Sequence, residues 1–137
     1  MPKVPAVPGG VGAEVVRPGP GAAKALSYAK AVQAVFARGG ALDLAMPDFE
    51  PRSGQAEMAS AVGRVFEKGG VLLAEAGTGT GKTLAYLVPA ILSRERVLIS
   101  TGTKNLQEQI YFKDIPALRD ALGIPFTATY KIGRAHV

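Results

Sequence analysis

The residues best suited to chemistry lie in one glycine-rich segment, AGTGTGKT, which spans residues 76–83. Its three glycines, at positions 77, 79 and 81, allow positive φ angles that turn successive backbone N–H groups toward one concavity. Such a concavity binds phosphate oxygens, and Lys82 adds a positive charge within reach of the β- and γ-phosphates. Thr83 offers a hydroxyl ligand to Mg²⁺. This chemistry predicts a site for a nucleoside triphosphate and its magnesium ion.

The sequence on both sides of this segment predicts the elements that a phosphate-binding loop requires. The apolar run 71–74 predicts a buried strand before the loop, and residues 82 to about 94 predict a helix whose positive dipole end faces the anion. The strict pattern has glycine where this chain has Ala76, whereas a relaxed alanine-or-glycine pattern is satisfied. The alternative is a flexible loop that binds nothing. We assign the catalytic role to Lys82 and Thr83 and expect the nucleotide to contact Ala76, Gly77, Thr78, Gly79, Thr80, Gly81, Lys82, Thr83 and Leu84.

A second informative stretch follows the next predicted strand, RVLIS at residues 96–100. Strand, helix and strand from 71 to 100 form a right-handed βαβ unit, in which ligands bind at the carboxyl ends of the strands. Thr101, Thr103 and Lys104 fall at that edge, where they could hold a phosphate of a second, polymeric ligand. The alternative is an ordinary strand-to-helix turn capped by a Thr or Ser side chain, and spacing alone slightly favours it.

Arg52 and Gln55 form the pattern RxxQ ahead of a predicted helix that begins at Ser53 or Gly54. A glutamine amide carries both donors and an acceptor, so it can pair with the edge of adenine. A polar pair at a helix start is more often a solvated cap, and spacing alone leaves both possibilities open.

Helical periodicity predicts the remaining elements. A helix over 22–38 ends at Gly39–Gly40 and carries an apolar face of Leu26, Ala29, Val32 and Phe36. Pro47 and Pro51 keep 48–50 extended. The helix that begins at Ser53 or Gly54 carries an apolar face formed by Met58, Ala61, Val62, Val65 and Phe66. The helix after the phosphate loop buries Leu84, Leu87, Val88 and Ile91 and is expected to kink at Pro89. Further helices are predicted at 104–113 and at 116–122, where Gly123 supplies the cap, and a strand at 124–130.

Composition excludes several classes of protein. The 137 residues contain no cysteine, which excludes disulfides and thiolate metal sites in this segment, and no apolar run is long enough for a transmembrane helix. The net charge of +5 includes Lys131 and Arg134, without which 14 basic residues face 11 acidic ones. This balance is weak support for a nucleic-acid partner. We expect a cytoplasmic protein.

Together, three segments resemble one family. FEPRSGQAEMASAV, LLAEAGTGTGKTLAYLVPAIL and VLISTGTKNLQEQI are similar to the Q-type motif, motif I and motif Ia of DinG/XPD-like superfamily 2 DNA helicases, and the similarity runs from about 42 to 130. The resemblance implies an α/β P-loop NTPase fold, with a RecA-like parallel sheet flanked by helices, of which 22–130 would be part of the first motor domain. It also implies adenine recognition by Arg52 and Gln55, and DNA backbone contact by Thr101, Thr103 and Lys104.

Members of this family couple ATP hydrolysis to 5′ to 3′ translocation on single-stranded DNA. The resemblance further implies ATP and Mg²⁺ as cofactors, a monomer without a membrane segment, and a 4Fe–4S cluster possible only in the full-length protein. This chain departs from the pattern because it has no DEAH-type carboxylate motif, arginine finger, second domain or cysteine, so we expect the fragment alone to be inactive. The alternatives are a non-catalytic nucleotide-binding protein and another class of P-loop NTPase.

The two ends of the chain are expected to lie outside the domain. Residues 1–21 are rich in Pro and Gly and predict a disordered leader. Residues 131–137 are expected to be a non-native tail, because IGRAHV is also what a common sequencing adapter encodes in one frame. The chain would then be the N-terminal piece of a longer helicase, and His136 receives no catalytic role.

Overall fold

The computed structural model describes residues 27–77 and 81–131, and the regular structure of these ranges is helical. Two predicted helices are present: the helix expected to begin at Ser53 or Gly54 and the helix expected after the phosphate loop. The elements in chain order are α1 (Tyr28–Phe36), α2 (Ala41–Ala45), α3 (Ser53–Lys68), α4 (Lys82–Ser93), α5 (Lys104–Gln109), a π-helical turn (Ile110–Asp114) and α6 (Ile115–Leu122). Within the described ranges, no helix is long and apolar enough to cross a membrane.

The core forms where α3 packs along α4, with α1 packed against both. The predicted apolar face of α4 is correct at Leu87 and Val88, which are buried, whereas Leu84 and Ile91 are half-buried. On α3 the predicted face is half-buried, with Met58 packed against the core, and the fully buried stripe is Gln55, Ala59 and Gly63 at a spacing of four residues. Gly63 on that stripe lies against α1, where an added Cβ would meet the Tyr28 ring at 3.4 Å, and the larger apolar residues of α3 lie beside the stripe, half-buried.

Helix α1 closes the core from one side. The Tyr28 hydroxyl donates a hydrogen bond of 2.6 Å to the carbonyl of Pro89 in α4, and burial raises the pKa of this hydroxyl. The predicted face is confirmed at Val32 and Phe36, both buried, and wrong at Ala29, which is exposed. The helix begins later than predicted, after Ser27, whose side chain accepts a hydrogen bond from the Lys30 N–H as an N-cap. Leu26 and the leader lie outside the described residues.

Neither α2 nor the turn that follows it was expected. The backbone N–H of Gly39 donates to the Asp43 side chain at 2.7 Å, which ties the start of α2 to the preceding glycine turn. Leu42 on α2 is fully buried. Residues 47–48 form a turn, closed by a 3.1 Å hydrogen bond from the Phe49 N–H to the Met46 carbonyl, so the extended conformation predicted for 48–50 is wrong at Asp48.

The three predicted strands do not form in the described ranges. Residues 71–74, 96–100 and 124–130 have no regular secondary structure, and Leu73 and Leu98 are each 93% exposed. A strand is stable only when its backbone N–H and C=O groups pair with a neighbouring strand, and the described ranges provide no such neighbour. β-Propensity alone therefore did not produce the sheet.

Residues 104–122 are one continuous run of right-handed helical backbone from α5 to α6. The predicted break near residue 113 is wrong, because the π-helical turn carries the helix through to Ile115. Gly123 ends α6 in the left-handed conformation at φ 66°, as predicted. Residues 124–131 then return along these helices, and side chains bond their carbonyls: Gln107 Nε2 to Lys131 at 2.6 Å and the Tyr111 hydroxyl to Ala128 at 3.4 Å.

Candidate nucleotide-binding site

The phosphate loop meets α4 at Gly81. This residue has φ 78° and ψ 35°, a left-handed conformation that favours glycine, and its carbonyl accepts the 3.2 Å hydrogen bond from the Ala85 N–H that opens the helix. Lys82 and Thr83 therefore occupy the first turn of α4, where unpaired backbone N–H groups and the helix dipole favour an anion. Thr78, Gly79 and Thr80 lie outside the described residues.

Lys82 reaches back across the loop. Its Nζ donates a hydrogen bond of 3.1 Å to the carbonyl oxygen of Ala76, six residues earlier in the chain. The side chain is exposed, as is Gly77, whereas Ala76 and Thr83 are half-buried. The two ends of the predicted loop, Ala76 and Lys82, are thus in direct contact, and the ammonium group lies where the loop can present it to a ligand.

Gln55 contacts the same loop from α3. Its Nε2 donates a hydrogen bond of 3.1 Å to the Gly81 carbonyl, and only 5% of the residue is exposed. A Cβ added at Gly81 would overlap Gln55 Nε2, so a larger residue there would displace the Gln55 amide and would also have to adopt a positive φ. The solvated-cap alternative therefore does not describe Gln55. Arg52, its partner in the RxxQ pattern, is exposed at the N-cap of α3.

The second predicted segment forms a capped helix start. Thr103 Oγ1 accepts a hydrogen bond of 3.2 Å from the Leu106 N–H, and Thr101 Oγ1 donates one of 3.1 Å to the Thr103 carbonyl. Lys104 Nζ lies 3.8 Å from Glu108 on the exposed face of α5. The Thr103 cap is the one that spacing favoured, although no strand forms at 96–100, and all three predicted residues lie near the surface.

An apolar cavity separates this turn from the core. Its volume is about 400 Å³, and residues of α3, α4, α5 and the 97–101 segment line it: Val62, Phe66, Tyr86, Ala90, Leu98, Thr101 and Leu106. A triphosphate would find few polar partners in this cavity. The polar groups converge at the Gly81 loop instead, which makes the loop the better candidate site.

Magnesium would receive a single protein ligand from the described residues. Thr83 supplies a hydroxyl in the first turn of α4, and residues 27–77 and 81–131 contain no group of three or more His, Cys, Asp or Glu side chains that could hold a metal ion. One hydroxyl fits Mg²⁺, which keeps several waters and commonly binds through substrate phosphates. Metal and nucleotide would therefore enter this site together.

Sequence comparison identifies the family to which this loop belongs. The family model for the DEAD/DEAH box helicase matches residues 53–132, which include Gln55, the phosphate loop and the Thr101–Lys104 turn. The chain belongs to the DEAD/DEAH box helicase family, and its fold class is that of a P-loop NTPase.

Individual relatives are ATP-dependent helicases by name. The chain is similar to the ATP-dependent DNA helicase YoaA of Escherichia coli K12, with 53% identity over 87 residues, or 64% of this chain and 14% of the relative. It is 41% identical over 111 residues to YoaA of Haemophilus influenzae, which covers 81% of this chain and 17% of the relative. The chain is 52% identical over 75 residues to the ATP-dependent helicase DinG of Mycobacterium tuberculosis H37Rv, and this match covers 52% of the chain and 11% of the relative.

The chain therefore spans less than a fifth of the length of these curated relatives. No solved structure matches it.

Proposed function

We propose that this chain is the ATP-binding part of an ATP-dependent DNA helicase that couples ATP hydrolysis to 5′ to 3′ translocation on single-stranded DNA. The observation that carries the proposal is the convergence of Gln55, Gly81, Lys82 and Ala76 on one loop at the start of α4. Relatives named ATP-dependent DNA helicases, matched over the same residues, support the choice of reaction.

The loop would hold the triphosphate through charge and backbone dipoles. Lys82 exchanges the Ala76 carbonyl for the β- and γ-phosphate oxygens, while the backbone N–H groups at the start of α4 face the anion. Thr83 would offer its hydroxyl to Mg²⁺, and the ion would neutralise phosphate charge. The residues from Ala76 to Leu84 thus position the nucleotide, and the hydrolytic groups come from elsewhere in a longer protein.

Adenine recognition is assigned to Arg52 and Gln55. The Gln55 amide has donors and an acceptor, and its bond to Gly81 brings the RxxQ segment to the loop. The hydrogen bond between Gln55 and Gly81 would then link the adenine-binding residues to the phosphate loop. This arrangement favours ATP over triphosphates that carry other bases.

Single-stranded DNA is the proposed second ligand. Thr101, Thr103 and Lys104 lie at or near the surface at the start of α5, where hydroxyls and an ammonium group suit phosphate contacts. Lys104 would exchange its 3.8 Å contact with Glu108 for a DNA phosphate. These contacts fix the position of the strand and carry no base specificity.

The finer architecture is also part of the proposal. The segments 71–74, 96–100 and 124–130 would be strands of a RecA-like parallel sheet in the longer protein, and the exposure of Leu73 and Leu98 is consistent with a surface that such a sheet would cover. Residues 22–130 would belong to the first motor domain, with a leader at 1–21 and a non-native tail at 131–137. A 4Fe–4S cluster would have to bind elsewhere, because this chain has no cysteine. The DNA-helicase relatives favour a cytoplasmic location and, by resemblance, a monomer.

The test is ATP turnover with and without single-stranded DNA, measured on this chain and on the full-length gene product. We expect DNA-stimulated turnover only in the longer protein, and its loss in Lys82→Ala. Lys68→Ala, a matched change at an exposed lysine near the end of α3, should leave turnover unchanged. ATP binding without DNA-stimulated turnover in the longer protein would instead support the non-catalytic alternative.

A further inference from the structure

Three aromatic rings meet beside the π-helical turn. Tyr111 stacks on Tyr130 with ring centroids 4.7 Å apart and planes inclined by 26°. Phe112 contacts both rings edge to face, at 5.0 Å from Tyr111 and 5.3 Å from Tyr130. Such contacts each stabilise a pair of rings beyond the area that they bury. We call Tyr111, Phe112 and Tyr130 the aromatic cluster.

The cluster holds an exposed ring in a fixed position. Phe112 is 61% exposed, although a phenylalanine is normally among the most buried residues. Its two neighbours are anchored, because the Tyr111 hydroxyl donates to the Ala128 carbonyl at 3.4 Å and Gln107 Nε2 donates to the Lys131 carbonyl at 2.6 Å. Phe112 therefore offers an apolar ring surface with little rotational freedom left to lose on binding.

The charges around the cluster favour an anionic partner. Lys113, the next residue after Phe112, is exposed. Of the carboxylates in this helical run, Asp114 has one oxygen, Oδ2, buried away from solvent. An exposed ring next to an exposed lysine in the chain suits a ligand that alternates flat apolar faces with negative charges, which describes single-stranded nucleic acid.

The cluster also lies on the same helical run as the proposed phosphate contacts. Phe112 follows Thr103 by nine residues of continuous helical backbone, or about 14 Å at 1.5 Å per residue. That distance is about four nucleotides of a stacked strand at 3.4 Å each. One strand could therefore contact the start of α5 with its phosphates and reach the cluster with a base.

We propose that Phe112 is a base-stacking residue for single-stranded DNA, held in position by Tyr111 and Tyr130 and followed in the chain by the exposed Lys113. The inference rests on the proposed function, because it assumes that DNA is the second ligand. Stacking is tolerant of sequence, since every base has an apolar face. The contact would hold the strand without selecting among bases.

The test measures binding of a fluorescent oligothymidine to the full chain and to variants. We expect Phe112→Ala to weaken binding about tenfold, Phe112→Trp to retain it, and Leu44→Ala, a control at another exposed apolar residue, to have no effect. Phe112→Ala should leave the salt dependence unchanged, whereas Lys113→Ala should reduce its slope by about one.

An oligonucleotide with abasic positions separates stacking from a structural role. Wild-type chain should bind it about tenfold more weakly than the intact strand, and Phe112→Ala should bind both strands equally. Unchanged oligothymidine affinity in Phe112→Ala would overturn the stacking proposal alone and leave the ring as a protein-contact residue. Failure of the wild-type chain and of the full-length gene product to bind single-stranded DNA would overturn the proposed function together with the stacking proposal.

Discussion

Gln55 and Gly81 lie 26 residues apart in sequence and are joined by a 3.1 Å hydrogen bond from the Gln55 amide to the Gly81 carbonyl. The bond connects the first turn of α3 to the residue that opens α4. Because Gln55 is buried and Gly81 is in a left-handed conformation, each residue restricts the other. The end of the phosphate loop is thereby fixed by a side chain outside the loop.

Removing the Gln55 amide should weaken nucleotide binding. Gln55→Ala leaves a small cavity and removes one of the two hydrogen bonds to the Gly81 carbonyl, which keeps the bond from the Ala85 N–H. We therefore expect the unfolding free energy to fall by about 1 kcal/mol and affinity for a fluorescent ATP analogue to fall about fivefold. Gln107→Ala is the matched control, since Gln107 also donates to a backbone carbonyl but far from the loop in sequence. Equal ATP affinity in the two variants would contradict a role for Gln55 at the loop.

Gly81 can be tested against a second left-handed glycine. Gly81→Ala combines backbone strain with overlap on Gln55 Nε2, whereas Gly123→Ala, at φ 66° with nothing near the added Cβ, introduces strain alone. We expect urea denaturation to show a loss of about 1 to 2 kcal/mol for Gly123→Ala and a larger loss for Gly81→Ala. Because Gln55→Ala removes the overlapping amide, adding it to Gly81→Ala should recover the part of the stability loss that exceeds the loss in Gly123→Ala. If both glycine variants lose the same stability, the overlap has no energetic effect.

Asp114 should make stability dependent on pH. Burial raises the pKa of this carboxyl above 3.8, while a hydrogen bond with Gln109 and the charge of Lys113 oppose the rise. Between the unfolded and folded pKa values, the folded chain holds a proton that the unfolded chain releases. The stability that this proton contributes is therefore complete below about pH 3.9 and is lost as the pH rises through the pKa of the folded state. Asp114→Asn should therefore become more stable relative to wild type as pH increases, measured by thermal unfolding at several pH values.

Asp120→Asn provides the control for that experiment. Asp120 is an exposed carboxylate on α6, so its replacement removes the same charge without relieving burial. A stability difference between wild type and Asp114→Asn that does not vary with pH would contradict the assignment.

The exposed apolar segments should promote self-association of the isolated chain. Leu73 and Leu98 are almost fully exposed, and unpaired extended segments of this kind are sites of aggregation. Leu73→Lys with Leu98→Lys should reduce light scattering without lowering stability, whereas Leu44→Lys, on the exposed face of α2, should have little effect. If a sheet covers Leu73 and Leu98 in the full-length gene product, the same two substitutions should lower its unfolding free energy by about 2 kcal/mol or more per leucine.

Local sequence signals predicted those elements that depend on local interactions. Gly123 ends α6 where a glycine was expected, and α3 and α4 begin within a residue of their predicted starts, because caps and helical period act over a few residues. Helix α2 was not predicted because its five residues are too few to show the helical repeat of apolar positions. The strands failed for the opposite reason, since their stability depends on partners distant in sequence.

At the candidate site, residue types were predictable but their contacts were not. The spacing of the phosphate loop placed Lys82 and Thr83 at a helix start, and the structure places them there. Burial of Gln55 could not be read from its sequence neighbourhood, because a polar residue beside an exposed arginine usually remains solvated. The compensating acceptor belongs to Gly81, and only the packing of α3 against α4 brings the two together.

The contact between Lys82 and Ala76 has a consequence for which ligands the loop retains. An entering molecule competes with the neutral carbonyl of Ala76 for the ammonium group. Phosphate oxygens carry full charge and form stronger, charge-assisted hydrogen bonds, so they displace the carbonyl readily. An uncharged molecule gains no such advantage and leaves the internal bond intact. If the loop binds nucleotides as proposed, it would therefore select for a charged ligand through Lys82.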